Sequence, residues 1–425
     1  MKTYTIVIIL ISISLAGFSQ SLKNGRAVTS SDSIAMGASY ANDIYYSFEN
    51  GVVASPARNT WDIGFRTSIW TADIITNDGS TVKIYTYPKS DTTGWNALDT
   101  SGLGSWPVMY NDENDWENGA FTRNQLGHPD YGWGKYNPIN HDVVGDSIYI
   151  IKTLAGSWYK MWILRKNSIA NTYYIRYANL DGSNQKDVTL DINPYQSKNF
   201  VYYNFDNSQL IDREPDTASW DVLFTKYIGI QPNGTPYPVV GVFNNTKVYA
   251  NKFEAVGPDF FDWTSQPLDS TKSPIGWSWK SYNMNLNSWV VADSTAFFVE
   301  TWDRNIYKLV FTKFEGTATG KIVFESTLQS PSAVISPEKG NTTVSVYPNP
   351  VTDHFIVNFS NAVSGKVTIS VYDMTGKVVF QDEQVIDNNS AQVRLHEAGL
   401  QNGLYVLGIS TGSEVYTSKF MISKF

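Results

Sequence analysis

The 425-residue chain contains no cysteine, which excludes disulfides and the cysteine-linked lipid anchor of exported proteins. Stability therefore has to come from burial alone. Histidine is nearly as scarce: of four, His354 and His396 fall in the last stretch of the chain, and no His-Glu-x-x-His occurs, so zinc hydrolysis is not indicated. A basic excess is missing too, with 32 Lys and Arg against 40 Asp and Glu and a net charge of −8. Nucleic acid, whose phosphates call for a basic face, is thereby excluded as a partner. Beyond Gly17 no apolar run is long enough to span a bilayer, so no transmembrane segment is expected and the mature chain should be soluble. Helical 3.6-residue periodicity is nowhere sustained.

What is present in quantity is aromatic: 14 Trp, 26 Tyr and 21 Phe. Such side chains favour strands, and they also build flat binding surfaces for sugars and porphyrins. A hydrophobic content of 42% supports ordinary globular cores, and the length calls for two or three domains. At the start, Lys2 supplies a positive end and Ile6 to Gly17 an apolar run of about a dozen residues, the pattern of a signal peptide. With Gly17 and Ser19 as the small residues before the cut, residues 1–19 are the expected signal and Gln20 the expected mature N-terminus.

The last stretch carries four motifs in order: Val344-Ser-Val-Tyr-Pro-Asn-Pro-Val351, Gly365-Lys-Val-Thr-Ile-Ser-Val-Tyr-Asp-Met-Thr-Gly-Lys-Val-Val379, Asn402-Gly-Leu-Tyr-Val-Leu-Gly408 and Ser418-Lys-Phe-Met-Ile-Ser-Lys-Phe425. Val367, Ile369 and Val371 alternate with Thr368, Ser370 and Tyr372, the period of a strand with one buried face. Gly376 then supplies the positive φ of a hairpin turn. These residues predict a small β-sandwich over 342–425, preceded by a Pro- and Ser-containing linker at 330–341. The four motifs closely resemble the C-terminal sorting domain of type IX secretion cargo. The resemblance implies export across a Gram-negative, Bacteroidetes-type outer membrane, with the type IX machinery as partner.

Between signal and linker lies an internal repeat. Tyr45-Tyr-Ser-Phe-Glu-Asn50 recurs as Tyr202-Tyr-Asn-Phe-Asp-Asn207, and Trp61-Asp-Ile-Gly-Phe65 as Trp220-Asp-Val-Leu-Phe224. Asp115-Trp116, Gly132-Trp133 and Tyr159-Lys160 find Asp262-Trp263, Gly276-Trp277 and Tyr307-Lys308 in the same order. The expectation is an all-β fold: two tandem β domains, 28–200 and 201–329, followed by the sandwich. Trp61 and Trp220 are expected to fill cores, with Asp62 and Asp221 bonding nearby backbone.

The repeated unit resembles the HmuY family of secreted and surface-exposed heme-binding proteins. The second copy carries it best, in Ser219-Trp-Asp-Val-Leu-Phe-Thr-Lys-Tyr227, Gly276-Trp277, Phe297-Phe-Val299, Asn305-Ile-Tyr-Lys308 and Gly320-Lys-Ile-Val-Phe324. The resemblance implies a cofactor, heme, held by axial ligands on loops, one of them a histidine shortly after Gly-Trp. In the second copy Tyr282 stands at that place, with Met284 close by; in the first, His141 lies three positions late, with His128 and Met109 upstream. Pairs His128/His141 or Met109/His141 both offer iron donors, against the alternative that the histidines are solvated loop residues.

Other chemistry is thin. Gly145-Asp-Ser-Ile148 echoes an esterase nucleophile block, but Ala292-Asp-Ser-Thr295 repeats it at the same strand start, and a strand-entry turn explains both. Asn111-Asp-Glu-Asn-Asp-Trp-Glu-Asn118 crowds carboxylates without the spacing of a calcium loop and reads as a solvated acidic loop. The sequence is thus read as non-catalytic. The leading expectation, drawn from the resemblance, is a secreted or cell-surface heme or tetrapyrrole binder; the alternative is a glycan- or protein-binding adhesion module, with a hydrolase as a remote third.

Overall fold

The computed structural model describes residues 29–330 and 344–423, apart from 360–364, 374–376, 387–389, 396–399 and 412–414. The expected signal peptide, the linker residues 331–341 and the Gly376 turn lie outside the described residues. The protein is all-β, its helical turns being short 3-10 pieces. Among the described residues no helix is long and apolar enough to cross a membrane. The chain divides into two compact units, Met1–Pro331 and Ser332–Phe425.

In the second unit the strands Val344–Tyr347, His354–Phe359 and Ser390–Arg394 form one antiparallel sheet. Val378–Ile386, Gly365–Tyr372, Gly403–Ser410 and Val415–Ile422 form another. Both sheets feed a single core in which Phe355, Val357, Val367, Ile369, Val371, Leu407 and Phe420 are buried. The alternation along Val367–Val371 is thus the alternation of a half-buried strand.

The first unit has two lobes, each a pair of sheets closed on its own core. In the first lobe, a sheet containing Val143–Gly145, Ile148–Lys152, Trp158–Asn167, Thr172–Asn179 and Lys186–Asp191 faces a four-stranded sheet of Gln209–Ile211, Phe200–Asn204, Ile63–Arg66 and Ile74–Thr76. Phe65, Phe121, Trp133, Tyr149, Met161 and Tyr173 fill the space between. In the second lobe, Thr29–Ala35, Lys321–Ser330, Ile306–Phe314, Ala296–Glu300 and Tyr249–Phe253 face Pro236–Asn244, Val222–Ile230, Ile44–Ser47 and Gly51–Ala54, around Phe224, Trp279, Phe297, Phe311 and Phe324.

The boundary expected at 200/201 does not separate these sheets. Tyr45 and Tyr46, from the first sequence copy, pair with Leu223 and Val222 of the second. Tyr202 and Tyr203 pair with Gly64 and Ile63 in the equivalent register. The first lobe is therefore contiguous over about 60–211, while the second combines the start of the chain with 213–330. The physical reason is that a Tyr-Tyr-x-Phe strand between two Trp-Asp strands can pair with either, and motif order alone does not say which.

The repeated residues explain themselves in this frame. Asp62 accepts from the backbone N–H of Leu154 and Phe205 at 2.9 and 2.8 Å, and Asp221 from Trp302 and Phe48 at 3.3 and 2.8 Å. Each carboxylate thus stitches the exchanged strand to a distant turn, so the bonds are to backbone but far away in sequence. Burial pushes both carboxyls up to about 6. Lys160 and Lys308 are buried and donate to the loop carbonyls of Trp95 and Pro258 at 2.6 and 2.5 Å. Trp61 packs with Phe200 and Tyr202, and Trp220 with Tyr45, Tyr227 and Phe243.

The acidic loop has a role the sequence reading missed. Trp116 packs against both of these aromatic clusters, 5.9 Å from Phe200 and 5.6 Å from Phe243 between ring centroids, and donates to Asn244 O at 2.9 Å. Asn114 O accepts from Lys272 N at 2.9 Å. The loop is a wedge between the lobes. Among the described residues no three His, Asp or Glu side chains gather as a metal site.

Candidate functional site

Three loops of the first lobe converge on an open groove of about 500 Å³. The first is the hairpin connection after Ile63–Arg66, which contributes Ile69, Trp70, Thr71 and Ala72. The second runs from His128 to Val143, and the third is the turn at Ser168 and Ile169 between the long strands.

A fully buried lysine sets the first loop. Lys166 donates to Ser68 O at 2.6 Å and to Thr71 O, so the backbone between them bulges outward with Ile69 39% and Trp70 84% exposed. Burial pulls this ammonium down to about 8. Trp133 of the Gly-Trp pair lies beneath, completely buried, donating to Ala72 O at 2.9 Å. Gly132 before it has φ +81°, and a Cβ there would meet Phe121 O at 2.9 Å, so only glycine fits.

The second loop brings the two histidines together. Asp130 caps it, accepting from Leu126 N and Gly132 N at 3.2 and 2.7 Å. Pro129 O accepts from Tyr136 N at 2.8 Å, which lays His128 against Tyr136, ring centroids 5.4 Å apart. Tyr136 ends the short strand Gly134–Tyr136, paired through Val143 with Val143–Gly145. In the turn between, His141 donates its N–H to Asn137 O at 2.8 Å with φ +60°, and its Nδ1 lies 2.5 Å from the Tyr136 hydroxyl. Ile169 on the third loop is 79% exposed and lines the groove, while Leu126 and Ile139, 91% and 90% exposed, lie outside its lining. With Ile69, Trp70 and Val143, Ile169 gives the groove a mainly apolar lining.

Met109 is not part of this groove. It is buried in the first-lobe core, bridged to Ile84, and its thioether is spent on packing. Tyr282 lies in the other lobe, in a groove of about 630 Å³ at the equivalent place: after the Gly-Trp pair, beside the hairpin Val222–Ile230/Pro236–Asn244 and the turn following Phe314. Its hydroxyl donates to Asn287 at 2.5 Å. Tyr237, Trp277, Trp289 and Phe314 share that groove, while Met284 is 81% exposed and does not line it. Lys280, also lining it, donates to Val240 O at 2.5 Å and is pulled down to about 7 by burial. Of the four residues singled out by sequence, His128 and His141 share a site and the other two do not join them. Tyr136 and Trp70 were missed; Tyr136 sits five residues before His141, the spacing of a tight hairpin, which was the available signal.

Residues 345–423 match the family described as the secretion system C-terminal sorting domain. No curated protein matches the chain. Among solved structures, the crystal structure of dimeric latent PorU from Porphyromonas gingivalis is matched at 12% identity over 81% of this chain, with a TM-score of 0.17. The match takes in 34% of that protein's chain, so it spans about a third of its length. The sorting domain makes the protein type IX secretion cargo, delivered to the cell surface or outside the cell.

Proposed function

We propose that this exported protein binds a flat tetrapyrrole of the heme class in the groove of its first lobe and carries out no reaction of its own. The observation that supports the reading is the convergence of His128, Tyr136 and His141 on one open groove also lined by Ile69, Trp70, Val143 and Ile169. A groove of this size with mainly apolar walls and a few clustered donors suits a small planar ligand. Heme, when bound, supplies an iron with open axial positions, for which imidazole and phenolate are both donors. Trp70, Ile69 and Ile169 exclude water from the ring faces, and the donor cluster orients the ligand.

The test is a hemin titration of the full chain followed by absorbance. A saturable change in the Soret region is expected, and it should be lost when His128→Ala, Tyr136→Phe and His141→Ala are combined. Met109→Leu and Tyr282→Phe should leave it unaltered. No saturable change in the wild type, or one that survives the triple variant, overturns the reading.

A second reading belongs to the other lobe. Tyr237 and Trp289 are 59% and 37% exposed along a groove that also presents Gln231, Ser281 and Thr317. Exposed aromatic edges beside polar groups favour a glycan there, and a glycan array with Trp289→Ala as control tests it.

A further inference from the structure

We infer that the second-lobe groove takes an acidic glycan, one whose sugar rings carry carboxylates, and that Lys226 and Lys280 are the side chains that recognise the acid. The inference rests on the glycan reading of that groove and deepens it by naming the class of sugar.

Charge is the first observation. The chain as a whole is acidic, with 40 Asp and Glu against 32 Lys and Arg, yet the described residues that line this groove include two lysines and no carboxylate. Of the five lysines buried among the described residues, four have a carboxylate near enough to act on them: Lys160 has Asp181, Lys166 has Asp73, Lys272 has Asp78 and Lys308 has Asp259. Lys280 has none among the described residues, and burial alone acts on it. The charged neighbour of Lys226 is another cation, Arg58. A buried ammonium without a counter-charge is costly, so an anion brought by a ligand relieves that cost and restores the charged form. The equivalent groove of the first lobe has no lysine among its described lining residues, so the two copies have diverged, one presenting imidazoles and the other ammonium groups.

Geometry narrows the anion. Lys280 opens the hairpin Lys280–Asn283/Ser288–Val291, and its Nζ donates to Val240 O at 2.5 Å and Trp277 O at 3.4 Å while lying 4.1 Å from the centre of the Trp279 ring and 4.8 Å from that of Phe314. An ammonium has three donors, so one remains for a ligand. Because the side chain is 8% exposed, the acid that reaches it has to be compact and planar. A carboxylate fixed directly to a sugar ring meets that condition better than a tetrahedral sulfate ester on a longer arm. The rings that would carry it meet an aromatic wall: Trp289 stands edge-on to Tyr282 and Phe314, with centroids 5.4 and 4.9 Å away. Gly316 lets the indole lean on its turn, since with φ +68° a Cβ there would meet the indole nitrogen at 2.6 Å. Gln231, Ser281 and Thr317 offer partners for hydroxyl groups.

The experiment probes the full chain on an array of galacturonate, glucuronate and sialic acid oligosaccharides beside sulfated and neutral glycans. A retained acidic glycan is then titrated by calorimetry together with the same glycan after reduction of its carboxylates to alcohols. Retention confined to the carboxylated glycans is expected, with affinity falling on carboxyl reduction and as salt is raised. Lys280→Gln should weaken binding of the acidic glycan about tenfold, and Lys226→Gln, at a partly exposed ammonium, about threefold. Both should leave the residual binding of the reduced glycan unchanged, which a general loss of structure would not. Melting temperatures are the folding control, and Lys226→Gln carries the test if Lys280→Gln fails to fold. Binding of neutral glycans that Trp289→Ala abolishes and neither lysine variant alters overturns the inference and leaves the glycan reading standing. Equal or stronger retention of sulfated glycans overturns the choice of carboxylate. No retained glycan of any kind removes the glycan reading itself, and this inference with it.

Discussion

Trp220→Ala tests the strand exchange most directly. The indole is 1% exposed and sits edge-on to Tyr45 with centroids 4.9 Å apart, against Leu223, Tyr227, Val239 and Phe243. Truncating a buried Trp to Ala costs about 3–5 kcal/mol through lost transfer energy and the cavity left behind. That is a large part of the 5–15 kcal/mol typical of a whole domain, so about a third of the stability should disappear. Because Tyr45 arrives from the beginning of the chain and Trp116 from the first lobe, the loss should spread to both lobes. Urea unfolding followed by near-ultraviolet circular dichroism and by tryptophan emission should therefore give one coincident transition for residues 29–330, shifted to lower denaturant. Trp220→Phe should cost less than the loss of ring area suggests, since among the described residues Trp220 Nε1 has no hydrogen-bond partner. Two transitions of which only one moves, or a loss below about 1 kcal/mol, would mean that the lobes unfold independently and that the strand exchange does not couple them.

Asp62 and Asp221 have carboxyls raised to about 6 in the fold, so the stability each contributes is full below pH about 4 and is lost as pH rises through 6; Asp221→Asn should flatten that decline by about 3 kcal/mol in pH-dependent melts. A slope unchanged by the substitution refutes the assignment. Lys166→Met should release the loop bearing Ile69 and Trp70, lowering hemin affinity without altering the form of the bound spectrum, and an unaltered affinity would count against the buried lysine as the loop's anchor. Removing 342–425 should leave the protein in the periplasm on fractionation; normal arrival at the surface would show that another segment carries the export signal.

Much of the architecture was legible because it is written in alternation. Val367, Ile369 and Val371 are buried as their period-2 spacing requires, and the paired Trp-Asp and Tyr-Lys motifs occupy equivalent places in both lobes. The lobe boundary was not legible, because pairing partners depend on tertiary closure and not on motif order. His128 and His141 stood out since imidazoles are rare in this chain, and they line one groove, whereas Met109 lies in the core, where a thioether reads the same as at a site. Trp70 escaped notice for a related reason. Only the buried Lys166, remote in sequence, turns its loop outward.

The pairing of Thr29–Ala35 with Lys321–Ser330, sealed by the Thr327 hydroxyl donating to Thr29 at 2.9 Å, has a consequence in time as well as in space. Almost three hundred residues must emerge before the opening strand meets its mate, and non-local closure of this kind is slow. The contiguous lobe around 60–211 can form while synthesis continues, whereas the discontinuous one stays unclasped until the end of the body has appeared.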